Sequence, residues 1–176
     1  IKPLPEEKIV KSLNSLKYLS LILVYITTKK INVLDCEYCY FVNRTFNRLS
    51  EMNFITGNKD LRKDNLIIAE ISCHYDDKIW NSSNEEIFSL CTKDLEKDKF
   101  LQEEEILNFE IIRMESVYPI YKKDYKKNLD EANLYFSNLK NFYSTGRQGQ
   151  FYYGDSDQMI RLGFDTAEKI IKNDKC

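Results

Sequence analysis

The sequence predicts an α+β fold: a mostly antiparallel mixed sheet with flanking helices, followed by a terminal strand, glycine loop and helix of different character. Three observations carry this expectation. Strand-like runs, β-branched over residues 18–28 and isoleucine-rich over 106–120, recur along the chain, helical stripes interrupt them, and three of only five glycines gather at Gly146, Gly149 and Gly154.

The elements follow in chain order. Residues 6–16 place Ile9, Val10, Leu13 and Leu16 on one helical stripe. Residues 18–28 read as a strand, 37–42 as a second, 46–50 as a short third and 65–75 as a fourth. Ser83 followed by Glu86 is a capping-box signature, and Ile87, Phe88, Cys91 and Leu95 then share a face, so a helix is expected over 84–98. Residues 106–120 are isoleucine-rich and read as a strand closing at Tyr118-Pro119, where proline disfavours regular structure in its neighbour. Asn128 with Glu131 is expected to cap a helix striped by Ala132, Tyr135, Phe136 and Leu139. Residues 141–144 suggest a short strand opening into the glycine loop, and Ile160, Gly163, Phe164, Ala167 and Ile171 mark a final helix.

Composition bounds the function. With 176 residues, 43% hydrophobic and 31% charged, the chain can bury a real core without metal or disulfide staples. A net charge of −2 argues against a nucleic-acid partner held by phosphate neutralisation. No two glycines stand as G-x-G, so the fingerprint that seats a dinucleotide on a helix N-terminus is missing from this chain. The most apolar stretch, residues 19–26, is far below the roughly 20 residues that cross a bilayer, so no membrane partner is expected. Five cysteines, an odd number, and no targeting pattern imply reduced thiols in the cytoplasm. The chain starts at Ile1 and runs straight into Pro3-Leu4-Pro5, which suggests an excised or processed piece.

Several groups invite chemistry. Cys36-x-x-Cys39 has the spacing of a zinc or redox pair, but a second ligand pair is missing and a strand there would point the two thiols to opposite faces, so no metal site is expected. His74 is the only histidine and has no Ser or Cys nucleophile motif to serve. Residues 122–127, KKDYKK, read as a solvated face. Arg48 sits on a strand among apolar neighbours, where a salt bridge to Glu51 or Glu70 competes with an anion-binding role. In the terminal loop, glycines would permit close backbone approach, and Asp155, Ser156 and Asp157 would cap a helix N-terminus able to face an anionic or electron-rich atom. A plain strand-to-helix connection reads the same residues equally well.

At this loop the stretch GRQGQFYYGDSDQMIRLGFDTAEKI resembles the C-terminal motif of the flavin amine oxidase, protoporphyrinogen oxidase and UDP-galactopyranose mutase superfamily. The mutase pattern G-R-x-G-x-[YF]-x-Y-x-D-x-D is met at Gly146, Arg147, Gly149, Phe151, Tyr153, Asp155 and Asp157, with Ser156 where a mutase usually has methionine. Pro3-Leu4-Pro5, the block Phe46-Asn47-Arg48-Leu49-Ser50-Glu51 with Phe54, and Tyr118-Pro119-Ile120 are similar to further blocks of the superfamily in the same order. The resemblance implies the C-terminal part of an FAD-dependent oxidoreductase, in which a final strand, loop and helix complete a split Rossmann-like FAD domain. Residues 1–140 would form the substrate domain, with 1–16 as its link from the FAD domain, and 141–176 the return segment. It implies FAD as cofactor, facing Gly146, Arg147, Ser156, Asp157 and Gln158, and Arg48 and Tyr153 as contacts of a small-molecule substrate such as a nucleotide sugar. The implied partner is the missing N-terminal FAD-binding half. Without it, this piece is expected to bind no FAD, to turn nothing over, and to be prone to homo-oligomerisation through the surface left bare. A mutase-like flavoenzyme and a non-catalytic binding module are the alternatives, and polysaccharide or nucleotide-sugar metabolism the expected setting.

Overall fold

The structure is a computed structural model that describes residues 4–57 and 64–173, and for Asn173 the backbone alone. Ile1 and Pro3, named above, lie outside the described residues, as does the last of the five cysteines, Cys176. The chain gathers into two compact units, residues 20–115 and residues 1–19 with 116–176.

The larger unit is built on a five-stranded sheet with the order β2-β3-β4-β1-β5, formed by β1 (Lys17–Thr28), β2 (Tyr38–Tyr40), β3 (Arg48–Glu51), β4 (Asn65–Cys73) and β5 (Ile106–Ile120). β2 pairs with β3, β3 with β4 and β4 with β1, each antiparallel. The register explains the two faces. Directly opposed residues share a face, so Cys39, Leu49, Ala69 and Val24 line up on one side, and Tyr40, Arg48, Glu70 and Leu23 on the other. The first side carries the core: Ile22, Val24, Ile26, Leu49, Ile67, Ala69 and Ile71 cluster with Ile87, Cys91 and Leu95 of α3 (Asn84–Lys97). The capping box expected from Ser83 and Glu86 is present in both directions, with Glu86 N–H donating to Ser83 Oγ at 3.1 Å and Ser83 N–H to Glu86 Oε2 at 3.0 Å.

Glu51, two residues on from Leu49, falls on the core side of the sheet. It ends β3 fully buried, accepting from Leu34 N–H and from Asn65 Nδ2, both at 2.7 Å. It is therefore not the partner of Arg48. One turn of helix, α2 (Met52–Thr56), follows it and stops at Gly57, whose φ of +64° is the left-handed geometry glycine adopts without strain. β5 runs the full expected length, with Ser116 at φ +56°. Pro119 fits because β5 is an edge strand, where a missing N–H costs no ladder bond.

In the smaller unit α1 (Glu7–Ser15) packs on α4 (Tyr125–Ser137). The helix expected to be capped by Asn128 starts four residues earlier, after Asp124, with no side-chain cap. Glu131 is engaged elsewhere: it accepts from Ser12 Oγ at 2.7 Å and pairs with Lys8 Nζ at 3.2 Å, tying α4 to α1. Residues 141–144 form no strand. Their local bonds run to the loop that follows, with Ser144 Oγ donating to Gly149 O at 2.7 Å and Gln150 Nε2 to Ser144 O, so no ladder partner is engaged. The glycine loop holds one helical turn, α5 (Gly146–Gly149), before α6 (Ser156–Asn173). Among the described residues no helix is long and apolar enough to cross a membrane.

Candidate functional site

Within the smaller unit, the segment from Gly146 to Gln158 is bent into place by its own aromatics. Phe151 is buried with a left-handed φ of +48°, a strained setting for a bulky residue, and the ring's neighbours hold it there. Its ring meets Tyr18 edge-on at 5.0 Å and Tyr121 at 5.9 Å. Tyr18 Oη donates to Gln148 O at 2.9 Å, and Tyr153 N–H donates to Tyr121 Oη at 2.7 Å, so each tyrosine both packs on and hydrogen-bonds the loop. Burial pushes the Tyr18 phenol above its ordinary pKa, so Tyr18 stays a donor at neutral pH.

Arg147 is held more tightly than the sequence suggested. Its Nη2 donates to Gly154 O at 2.7 Å, and its guanidinium lies over the rings of Tyr118 and Tyr153, at 5.1 and 5.4 Å from their centroids. Cation–π contacts of this kind contribute about 0.5–1 kcal/mol each where solvent reaches them. Tyr118 is the residue that sequence reasoning left without a role here. With twelve tyrosines in the chain, spacing could not say which of them meets the arginine.

The glycines divide into two kinds. Gly146 has φ +78° and open space where a side chain would begin, so its backbone is free for close approach. Gly154 is packed instead: a Cβ there would come within 2.5–2.7 Å of Tyr152, Gln158 and Met159. The α6 N-terminus starts immediately beyond, where Gln158 Oε1 accepts from Asp155 N–H at 2.9 Å. A helix leaves its first amides without intrahelical partners, so Ser156, Asp157 and Gln158 present N–H groups and the positive end of the dipole. A cavity of about 520 Å³ opens against this end, lined by Gln150, Tyr152, Asp157, Gln158, Arg161 and Leu162. The amides of that end suit an electron-rich acceptor atom. Gly146, Arg147, Tyr153, Ser156, Asp157 and Gln158 thus lie in one segment of the smaller unit.

Arg48 belongs to the larger unit. On the sheet face away from α3, it pairs with Glu70, donating to Oε1 from Nε at 2.9 Å and from Nη2 at 2.5 Å. Tyr38 and Tyr40 of β2 flank its guanidinium at 5.6 and 5.9 Å. The two thiols expected on opposite faces are instead neighbours: Cys36 precedes β2 on a turn, and its Sγ lies 2.9 Å from that of Cys39. Among the described residues no group of three or more His, Cys, Asp or Glu is placed to hold a metal ion.

No family model matches the sequence, and no curated protein matches it. Solved structures do. A reduced UDP-galactopyranose mutase superposes with a TM-score of 0.75 and 16% identity over 92% of this chain and 36% of that one. A protein provisionally assigned as a protoporphyrinogen oxidase, from Exiguobacterium sp. 255-15, superposes with a TM-score of 0.59 and 14% identity over 78% of this chain and 32% of that one. The chain shares their α+β fold and spans about a third of their length.

Proposed function

We propose that this chain is the C-terminal, substrate-domain-containing part of an FAD-dependent oxidoreductase related to the amine oxidases and protoporphyrinogen oxidases. The observation that carries the reading is the open glycine turn at Gly146 leading to the bare N-terminus of α6, within a fold shared with an oxidase-like protein and a mutase. Bound FAD would supply hydride transfer from a substrate C–H bond.

The chain's own residues would do the rest. Gly146 would let the backbone approach the cofactor's phosphate and sugar region, and the amides of Ser156, Asp157 and Gln158 would face the flavin's electron-rich edge. Arg147, fixed between two tyrosines and a carbonyl, would keep its charge at a set distance from those phosphates. In that reading an FAD-binding half would cover the outer face of α6, where Ile160, Phe164 and Ile171 recur at helical spacing and are 62%, 64% and 55% exposed. Left bare, that face would drive self-association.

A mutase-like flavoenzyme is the second reading, favoured by the wider and closer superposition on the mutase. In it, Arg48 would contact a phosphate of a nucleotide sugar. The visible spectrum of the parent protein tests both. Flavin absorbance after purification or FAD addition is expected; a colourless protein that stays colourless with FAD would leave only a non-catalytic binding module. Between the two enzymes, Arg48→Ala should weaken uridine diphosphate binding at least tenfold in a mutase and leave it unchanged in the oxidase.

A further inference from the structure

Cys36 and Cys39 stand apart from the other described thiols. Cys73 and Cys91 are buried, and burial pushes the Cys91 thiol up to about 12, which leaves it inert. Cys36 and Cys39 are half-buried at the rim of the core cluster, with sulfurs 2.9 Å apart, within an ångström of the bonded separation of about 2.05 Å. The backbone holds them there. Between the two cysteines, Glu37 O accepts from Glu51 N–H at 2.9 Å, and the β2/β3 ladder pairs Tyr38 with Ser50 and Cys39 with Leu49. The link is therefore fixed to β3 at three successive residues, and the turn before β2 folds Cys36 back onto Cys39. Cys36 Sγ donates to Tyr38 O at 3.3 Å, which leaves Cys39 S–H to donate to Cys36. The Cys39 thiol is accordingly raised to about 11, chiefly by that hydrogen bond, so of the two thiols Cys39 is held as the protonated partner.

We propose that Cys36 and Cys39 are a reversible dithiol/disulfide pair, a redox modification site on the turn that leads into edge strand β2. The oxidant is a small disulfide such as oxidised glutathione. Cys36 thiolate attacks one of its sulfurs, forming a protein–glutathione mixed disulfide and releasing one glutathione thiolate. Cys39 then gives up its proton and attacks the Cys36 sulfur, forming the intrachain bond and releasing the second glutathione thiolate. The two protein protons end on the two glutathiones, and two electrons pass from the protein to the oxidant. The closed bond ties the turn to the centre of β2, between Tyr38 and Tyr40, which flank Arg48. The state of the pair is thereby coupled to how that arginine is enclosed.

The test uses the 176-residue chain carrying Cys176→Ser, equilibrated in buffers of varied reduced-to-oxidised glutathione ratio, acid-quenched, unfolded and labelled with a maleimide. Four thiols remain of the five in the sequence. Oxidising buffers should lower the label count from four to two, with a peptide joining residues 36 and 39, and reducing buffers should restore it. Cys36→Ser should keep all its remaining thiols, and Cys39→Ser should stop at a glutathione adduct on Cys36, each with the circular dichroism of the parent. Four labels at every ratio, a disulfide mapped to another pair, or a stable glutathione adduct in place of the closed bond in the Cys176→Ser chain overturns the proposal, and the first two need no further variant to fold.

Discussion

Arg48 and Glu70 face each other across the β3/β4 pair, and both donors of the guanidinium edge converge on one carboxylate oxygen, at 2.9 and 2.5 Å. Glu70 is 9% exposed, so the arginine is what makes its charge tolerable there. Arg48→Ala should destabilise the chain by about 1–3 kcal/mol, and Arg48→Lys, which lacks the planar fork, should recover only part of that. Urea unfolding of the two variants checks this, and equal stability of Arg48→Ala and the parent would contradict it.

Glu51 holds together three stretches that the sequence keeps apart. Its carboxylate takes the Leu34 amide and the Asn65 side chain inside the core, so Glu51→Ala should leave the Leu34 amide without its acceptor at about 1–3 kcal/mol, while Asn65 Nδ2 keeps its 3.1 Å bond to Lys30 O. Glu51→Gln should cost less, since one acceptor oxygen survives. The denaturant midpoints of both variants give the comparison.

Ser83 and Glu86 close a reciprocal cap on α3. Removing the hydroxyl in Ser83→Ala should cost about 1 kcal/mol, and Ser83→Asp should restore most of it. Thermal unfolding followed by circular dichroism reads the difference.

Two carboxylates set the acid side of stability. Arg44 grips Asp98 through two hydrogen bonds of 2.6 Å and holds its carboxyl below the usual carboxylate range. Ser12, then Lys8, do the same for Glu131. A depressed folded pKa contributes stability above the unfolded value, near 4, and loses it as pH falls through the lower folded value. Stability should therefore decline below about pH 4, and Asp98→Asn should flatten that decline while lowering stability at pH 7. Urea midpoints across a pH series decide it.

The exposed face of α6 is the remaining test. Phe164→Glu combined with Ile160→Glu should leave the melting temperature of the isolated chain nearly unchanged, because neither side chain is buried in it, and should reduce self-association. Light scattering over a concentration series measures this, and a large drop in melting temperature would show that the face is packed after all.

Much of the fold was legible because local signals and tertiary demands agreed. The 15 residues of β5 and the capped start of α3 sit where the isoleucine-rich run and the Ser83/Glu86 spacing put them. Where they disagreed, a distant partner had won. Glu131 left its expected capping role for Ser12 and Lys8, residues 141–144 turned to the glycine loop, and Cys36 was folded back by a turn that strand periodicity could not see. Of the candidate site, the glycines and the start of α6 were readable, since turn chemistry and capping are written in neighbouring residues.

What the sequence determined by itself is most of the longer elements and the chemistry available to them: an α+β chain, a glycine-rich turn before a helix N-terminus, and an arginine on a strand. Tertiary structure alone decided the pairings. Arg48 took Glu70 and not Glu51 because β3/β4 register puts Arg48 and Glu70 on one face and buries Glu51 on the other, and Arg147 came to rest on Tyr118 and Tyr153 among twelve tyrosines. Side-chain type is local information, whereas which side chains meet depends on strand register and loop closure, and those are set by burial summed over the whole core.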